Sequence, residues 1–297
     1  MFHKSVLLKE SIEALAIRPD GTYVDATYGG GGHSKEILKY LKGGKLFVFD
    51  QDVTALKNTI EDTQITMINS NFRYIRNFLK LYKAAPVDGI LADLGVSSHQ
   101  IDDPERGFST RFEGGLDMRM DQKKSLTAKE IINKYPEEKL IEIFHSYGEL
   151  TNAKKIARLI VSARKEKEIL TTSELKDVLS NSYRKDHENK FFAQVFQSVR
   201  IETNQELDSL KDLLVQSVDL LKQGGRIVIL AYHSLEDRLV KDFFRSGNFT
   251  GEIQKDFFGN PIIPLRMINR KPIVASETEV AENRRARSVR LRIAEKI

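Results

Sequence analysis

The chain has 297 residues, 40% hydrophobic and 30% charged, enough for one large core with a smaller satellite domain. It contains no cysteine, which excludes disulfides, cysteine-ligated zinc, iron–sulfur clusters and any thiolate nucleophile. Lys and Arg number 47 against 42 Asp and Glu, a mild excess that permits nucleic-acid binding, and no run approaches the ~20 apolar residues that span a bilayer. The N-terminus lacks the apolar core of a signal peptide, so a cytoplasmic location with no membrane partner is expected.

Short apolar strands alternate with helical patterns through the first hundred residues. Tyr23-Val24 leads into four glycines, Gly29 to Gly32, and Ser34 to Leu41 reads as a helix. Lys45 to Phe49 is a strand ending in Asp50, and Val53 to Ile60 a helix. Ile65 to Ile68 is a strand, Tyr74 to Tyr82 a helix, and Val87 to Leu91 a strand ending in Ala92-Asp93. This alternation predicts a parallel, doubly wound α/β sheet.

From Asp103 the rhythm changes to a polar loop and then to consecutive helices. Thr127 with Glu130, and Thr171 with Glu174, are capping boxes, and Pro136 suits a first helical turn. Ile156, Leu159, Ile160 and Ala163 form an apolar stripe at helical spacing, the mark of a core face. Residues 104–190 therefore read as a helical insertion. A helix over 205–222 ends in Gly-Gly, Arg226 to Tyr232 is a strand, His233 precedes a helix capped by Ser234 and Asp237, and Ser288 to Ile293 is a last strand. Two basic clusters stand out: five arginines between Arg284 and Arg292, and six cations between Lys154 and Lys167. Each suits either a solvated face or phosphate contact.

In open parallel sheets ligands bind beyond the carboxyl ends of the strands, which brings forward Asp25, Asp50, Asp93 and His233. Four successive glycines are costly in backbone entropy and suit close approach of a ligand to bare main chain, or else tight strand–helix packing. Asp50 lies 19 residues after Gly31, where a carboxylate can receive the hydroxyls of an adenosine ribose. The dinucleotide fingerprint G-x-G-x-x-G fails, since its sixth position falls on Ser34 or Lys35, and no phosphate loop G-x-x-x-x-G-K-[ST] is present. S-adenosylmethionine, which needs no pyrophosphate cradle, fits better. Asp93 heads a second constellation with Ser97, Ser98, His99 and Gln100, which serves either substrate contact or Ser turns and caps. His233 has a structural account in the cap and a functional one at the strand end. The six histidines are dispersed, with no metal-ligand spacing.

These motifs resemble the bacterial small-subunit ribosomal RNA (cytosine-N4)-methyltransferases, the MraW family. The resemblance extends from the His3 to Glu10 segment through Asp88 to Ser98, Asp102 to Ser109, Leu116 to Asp121 and His233 to Arg238, ending with Arg285 to Ile293. It implies a class I, Rossmann-like methyltransferase sheet formed by 1–103 and 191–297, with 104–190 as an all-helical substrate-recognition insertion. Carried over position by position, the S-adenosylmethionine contacts are Gly31, Gly32, His33, Asp50, Phe72, Asp93 and Gln100. Phe72 would lie beside the adenine; its bare reading is a core residue at a helix start. His99, Ile101 and Ala231-Tyr232 depart from the family's usual proline, leucine and serine-phenylalanine.

The reaction implied is methylation of the exocyclic N4 of a cytidine in 16S rRNA, within the small ribosomal subunit, with a homodimer as a further expectation. Asp93, or a main-chain carbonyl of the Asp93 to Ser98 loop, is the expected acceptor for the amino hydrogens and His233 a proton acceptor or base-orienting group; no metal is expected. Methylating C5 instead requires a thiolate adduct, which a chain without cysteine cannot form. The rivals are a nicotinamide-dependent oxidoreductase, disfavoured by the glycine spacing, and a non-catalytic RNA-binding assembly factor with a vestigial donor pocket.

Overall fold

Seven strands form one sheet: β1 (Thr22–Asp25), β2 (Lys45–Asp50), β3 (Ile65–Asn69), β4 (Val87–Asp93), β5 (Leu221–Ala231), β6 (Leu265–Met267) and β7 (Arg290–Lys296). The protein is described by a computed structural model that covers residues 5–58 and 60–297. The start of the N-terminal motif at His3 and one residue of the expected 53–60 helix, Thr59, lie outside the described residues. The strand order is β3-β2-β1-β4-β5-β7-β6, parallel from β3 to β5, with β7 antiparallel to both β5 and β6. This is the expected class I methyltransferase sheet, doubly wound and Rossmann-like.

Alternation along the strands explains why both faces are covered. In β5, Ile227 and Ile229 enter one core with Leu210, Leu213, Leu214 and Phe244, while Val228 and Leu230 enter the other with Leu15, Ile37 and Leu291. Each fully buried Ile, Leu or Val contributes roughly 1.5–3 kcal/mol of transfer free energy. The helices over Leu8–Leu15 and Gly32–Tyr40 therefore present their apolar sides to one face, and those over Ile75–Leu81 and Ser234–Ser246 to the other.

Contacts divide the chain into two units, residues 1–95 with 207–297, and residues 96–206. The second unit is wider than the 104–190 expected, because the helix Glu188–Asn204 packs Phe191, Phe192, Val195, Phe196 and Val199 among Ile131, Phe144, Ile156 and Ile160 of that unit. Both expected capping boxes form there, at Thr127–Glu130 and Thr171–Glu174, while Pro136 is itself an N-cap. Of the apolar stripe, Ile156 and Ile160 are buried, and Leu159 and Ala163 pack partly against the same core.

Several local expectations are corrected. Val53–Asn58 is 3-10 rather than α-helical. β5 starts at Leu221 rather than Arg226, and the short edge strand β6 was not foreseen. The expected Ser234–Asp237 cap is replaced by His233 at the N-cap, without a side-chain cap bond, because Asp237 turns to Arg290 and Arg292. Two of the five C-terminal arginines are thereby spent on an ion pair, and Arg292 is buried. In the other basic cluster Arg164 donates to the carbonyls of Ile132 and Tyr135 and Lys167 to Glu174 Oε1, and Lys154, Lys155, Arg158 and Lys165 are exposed. No helix is long and apolar enough to cross a membrane among the described residues.

Candidate functional site

The carboxyl ends of β1, β2 and β4 gather three acids in the first unit. Asp25 is buried: Oδ2 accepts from Ser34 Oγ at 2.6 Å and Oδ1 from the Thr27 amide at 3.1 Å, tying the strand end to the helix after the glycines. Asp50 spans the turn from the neighbouring strand. Its Oδ2 accepts from the Gly29 amide at 2.8 Å and its Oδ1 from the Asp52 amide at 2.8 Å. Burial pushes the Asp50 carboxyl up to about 6 despite those two amide donors.

The glycine run divides into two functions. Gly31, at φ +74° and N-cap of the Gly32–Tyr40 helix, has the Tyr28 hydroxyl 2.7 Å from where a Cβ would stand. A Cβ on Gly32 would lie 2.0 Å from Ser5 Oγ. These two are required by the protein's own packing. Gly29, at φ +52°, and Gly30 have nothing within 4 Å of a Cβ, so they present bare main chain to open space. Gly29 and Gly30 thus add uncovered main chain to the turn that carries the expected donor contacts Gly31 and Gly32.

His33 is buried, with Nε2 3.2 Å from the Val6 carbonyl and Nδ1 3.8 Å from Asp93 Oδ2. Asp93 closes β4: its amide donates to Thr27 Oγ1 at 2.7 Å, and its Oδ1 accepts from the Tyr232 hydroxyl at 2.6 Å. Its side chain remains 24% exposed, so the carboxylate is within reach of a ligand. Burial raises the Asp93 carboxyl above its ordinary range, opposed by His33 and the Tyr232 bond and assisted by the charges of Asp25 and Glu236. The Tyr232 hydroxyl is in turn raised well above its ordinary value, by burial first and by Asp93 second.

Tyr232 was not foreseen as a site residue. The signal was present, since it is a tyrosine where the family usually has phenylalanine, and the added hydroxyl is the atom that meets Asp93. Glu236 was missed as well. It is buried, accepts from the Tyr232 amide at 2.9 Å, and places Oε1 3.2 Å from His233 Nε2. Both ring nitrogens of His233 are shielded from solvent and neither makes a hydrogen bond of acceptable geometry, although Nε2 lies within ion-pair distance of Glu236.

Two expected contacts are less committed to the crevice. Phe72 opens a 3-10 turn after β3 and packs partly against the core, while Asn71 beside it bonds Gln51 across the loops that follow β2 and β3. Gln100 belongs to the second unit, where its Oε1 accepts from the Ser97 amide in a capping box. The residues of the first unit brought together are thus Gly29 to Gly32, His33, Asp50, Asp93, Tyr232 and His233.

The model of the MraW methylase family matches residues 1–297. A ribosomal RNA small subunit methyltransferase H of Christiangramia forsetii is 53% identical over 100% of this chain and 98% of its own. Proteins of the same name from Flavobacterium johnsoniae and Bacteroides fragilis strain YCH46 are 54% and 51% identical, over 98% and 97% of their lengths and 100% and 99% of this chain. A family match over residues 1–297, with relatives covered over 97–98% of their own lengths and more than half of the residues shared, means that the chain belongs to the MraW methylase family.

Proposed function

We propose that the protein transfers a methyl group from S-adenosylmethionine to the exocyclic N4 of a cytidine in 16S rRNA. The observation that carries this reading is Asp93 at the end of β4, one oxygen held by Tyr232 and the carboxylate still open, beside a glycine turn braced by Asp50. The residues fit the donor: Gly29 and Gly30 leave main chain uncovered, and each Asp50 oxygen keeps a lone pair for a ribose hydroxyl after bonding its amide. Gly31, Gly32, His33, Phe72, Asp93 and Gln100 complete the proposed donor contacts. When bound, S-adenosylmethionine supplies an electrophilic methyl group on a sulfonium.

The protein's task is then to make a weak nucleophile competent. The N4 lone pair of cytosine is delocalised into the ring, and an acceptor gripping an amino hydrogen localises it. Asp93 is that acceptor, fixed by Tyr232 so that its free lone pairs aim at one position. His233, whose ring nitrogens are unbonded and whose Nε2 neighbours Glu236, takes or relays the proton as N4 becomes cationic. The absence of cysteine supports N4 over C5, since C5 chemistry needs a thiolate. The names of the full-length relatives support small-subunit ribosomal RNA as the substrate.

The test is to incubate the protein with methyl-labelled donor and small ribosomal subunits lacking the modification, then digest the RNA to nucleosides. Labelled N4-methylcytidine is expected; label in another nucleoside, or none, contradicts the reading.

A further inference from the structure

Between the helix Ser234–Ser246 and β7 the chain makes a projecting hairpin whose use nothing in the methyl-transfer site explains. The Ile262 amide donates to the Gln254 carbonyl at 2.8 Å and the Asp256 amide to the Asn260 carbonyl at 2.9 Å, closing the tip. Asp256 then organises the turn from within: Oδ1 accepts from the amides of Phe258 and Asn260, at 2.9 and 2.8 Å, and Oδ2 from Asn260 Nδ2 at 3.0 Å. Gly259 supplies the left-handed residue at φ +85°. On this braced turn stand Phe257 and Phe258, 96% and 84% exposed, with ring centroids 5.6 Å apart and planes at 87°.

A turn built so firmly around two bare aromatic rings is organised for contact rather than for its own stability. Two phenylalanines offer at most ~500 Å², below the ~600 Å² per partner at the low end of a stable protein–protein interface. A stacked nucleobase needs only one ring face. Lys255 on the hairpin and Arg270 and Lys271 further along the chain are exposed cations, Arg266 is paired with Glu295, and of the two acids nearest the tip Glu252 is exposed while the Asp256 carboxylate is occupied by the turn. Aromatic rings flanked by lysines and arginines are the chemistry that holds unpaired RNA, by stacking on bases and by pairing with phosphates.

We propose that Phe257 and Phe258 form a stacking platform for unpaired bases of the ribosomal RNA, a contact separate from the methyl-transfer crevice. This rests on ribosomal RNA being the substrate, and its test keeps the two apart. The chain has no tryptophan, so Phe258→Trp creates a single emission reporter at the tip. Saturation with 16S rRNA should quench that emission, whereas heparin, a polyanion without bases, should bind without quenching. The double substitution Phe257→Ala with Phe258→Ala should weaken RNA binding about tenfold or more, within the range of one to two lost stacks, with melting temperature and salt slope unchanged. Equal affinity and no quenching at saturation overturn the proposal. So does quenching by heparin, or an effect of the substitutions confined to self-association in sedimentation. If the wild-type chain still methylates 16S rRNA in those cases, only the platform fails; if it neither binds nor methylates the RNA, the proposed function fails with it.

Discussion

At the scale of single residues, the account turns on two carboxylates and one hydroxyl. Asp50 is raised to about 6, so donor binding that uses its ionised oxygens should weaken as pH falls through that value. Calorimetric titration with S-adenosylmethionine between pH 5 and 8 should show this loss. Asp50→Asn should bind the donor more weakly at every pH, remove the pH dependence, and cost about 1–3 kcal/mol of stability, because the new amide cannot accept from both Gly29 and Asp52. The sign for folding is opposite: a carboxyl raised in the native state stabilises below the unfolded value and loses that advantage as pH rises through about 6. Tyr232→Phe removes the donor to Asp93 and frees its carboxyl to rise further, so the acid limb of the kcat/KM profile should move to higher pH. A hydroxyl with only a packing role would leave that limb where it is. Asp50 and Asp93 were legible because strand-end acids can be found by pattern. The Asp93–Tyr232 pair was not, since it joins residues 139 apart and exists only because β4 and β5 are neighbours.

Elements extend the same reasoning. The glycine run announced a turn correctly, but only packing reveals which glycine answers to what: Gly32 to Ser5, Gly31 to Tyr28, and Gly29 and Gly30 to open space. Gly32→Ala should therefore lower the unfolding free energy by about 1–3 kcal/mol, and Ser5→Ala in the same chain should restore part of that loss, read by a double-mutant cycle in urea. The C-terminal basic run shows the opposite kind of misreading. Charge alone cannot tell a phosphate contact from an ion pair, and Arg292 proves to be buried against Asp237, 55 residues earlier. Burial pushes the Asp237 carboxyl up, yet Arg292 and Arg290 outweigh it and hold it below the ordinary range. Its stabilising contribution is present above the unfolded carboxyl value and is lost as pH falls through the lower native one. Asp237→Ala should cost about 3–5 kcal/mol in urea unfolding at pH 7, because Arg292 stays buried without its partner.

For the whole molecule, the proposed division of labour is between a sheet that holds the chemistry and a helical unit whose Lys154, Lys155, Arg158 and Lys165 remain exposed. Replacing those four with alanine should flatten the salt dependence of 16S rRNA binding by up to about three in log–log slope, since each phosphate neutralised by a cation accounts for ~0.7–0.9. Unchanged slope would mean that the cluster is a solvated face. The architecture was legible because alternating strands and helices leave few topologies, while the unit boundary moved because the helix Glu188–Asn204 shares its core with helices far away in sequence. The central claim is that the open carboxylate at the end of β4 activates the cytidine amino group. Single-turnover methyl transfer to small subunits by Asp93→Ala, with donor saturating, tests it most directly. The account predicts a rate lower by about a hundredfold or more in protein that still unfolds in one cooperative transition; transfer at the wild-type rate would contradict it.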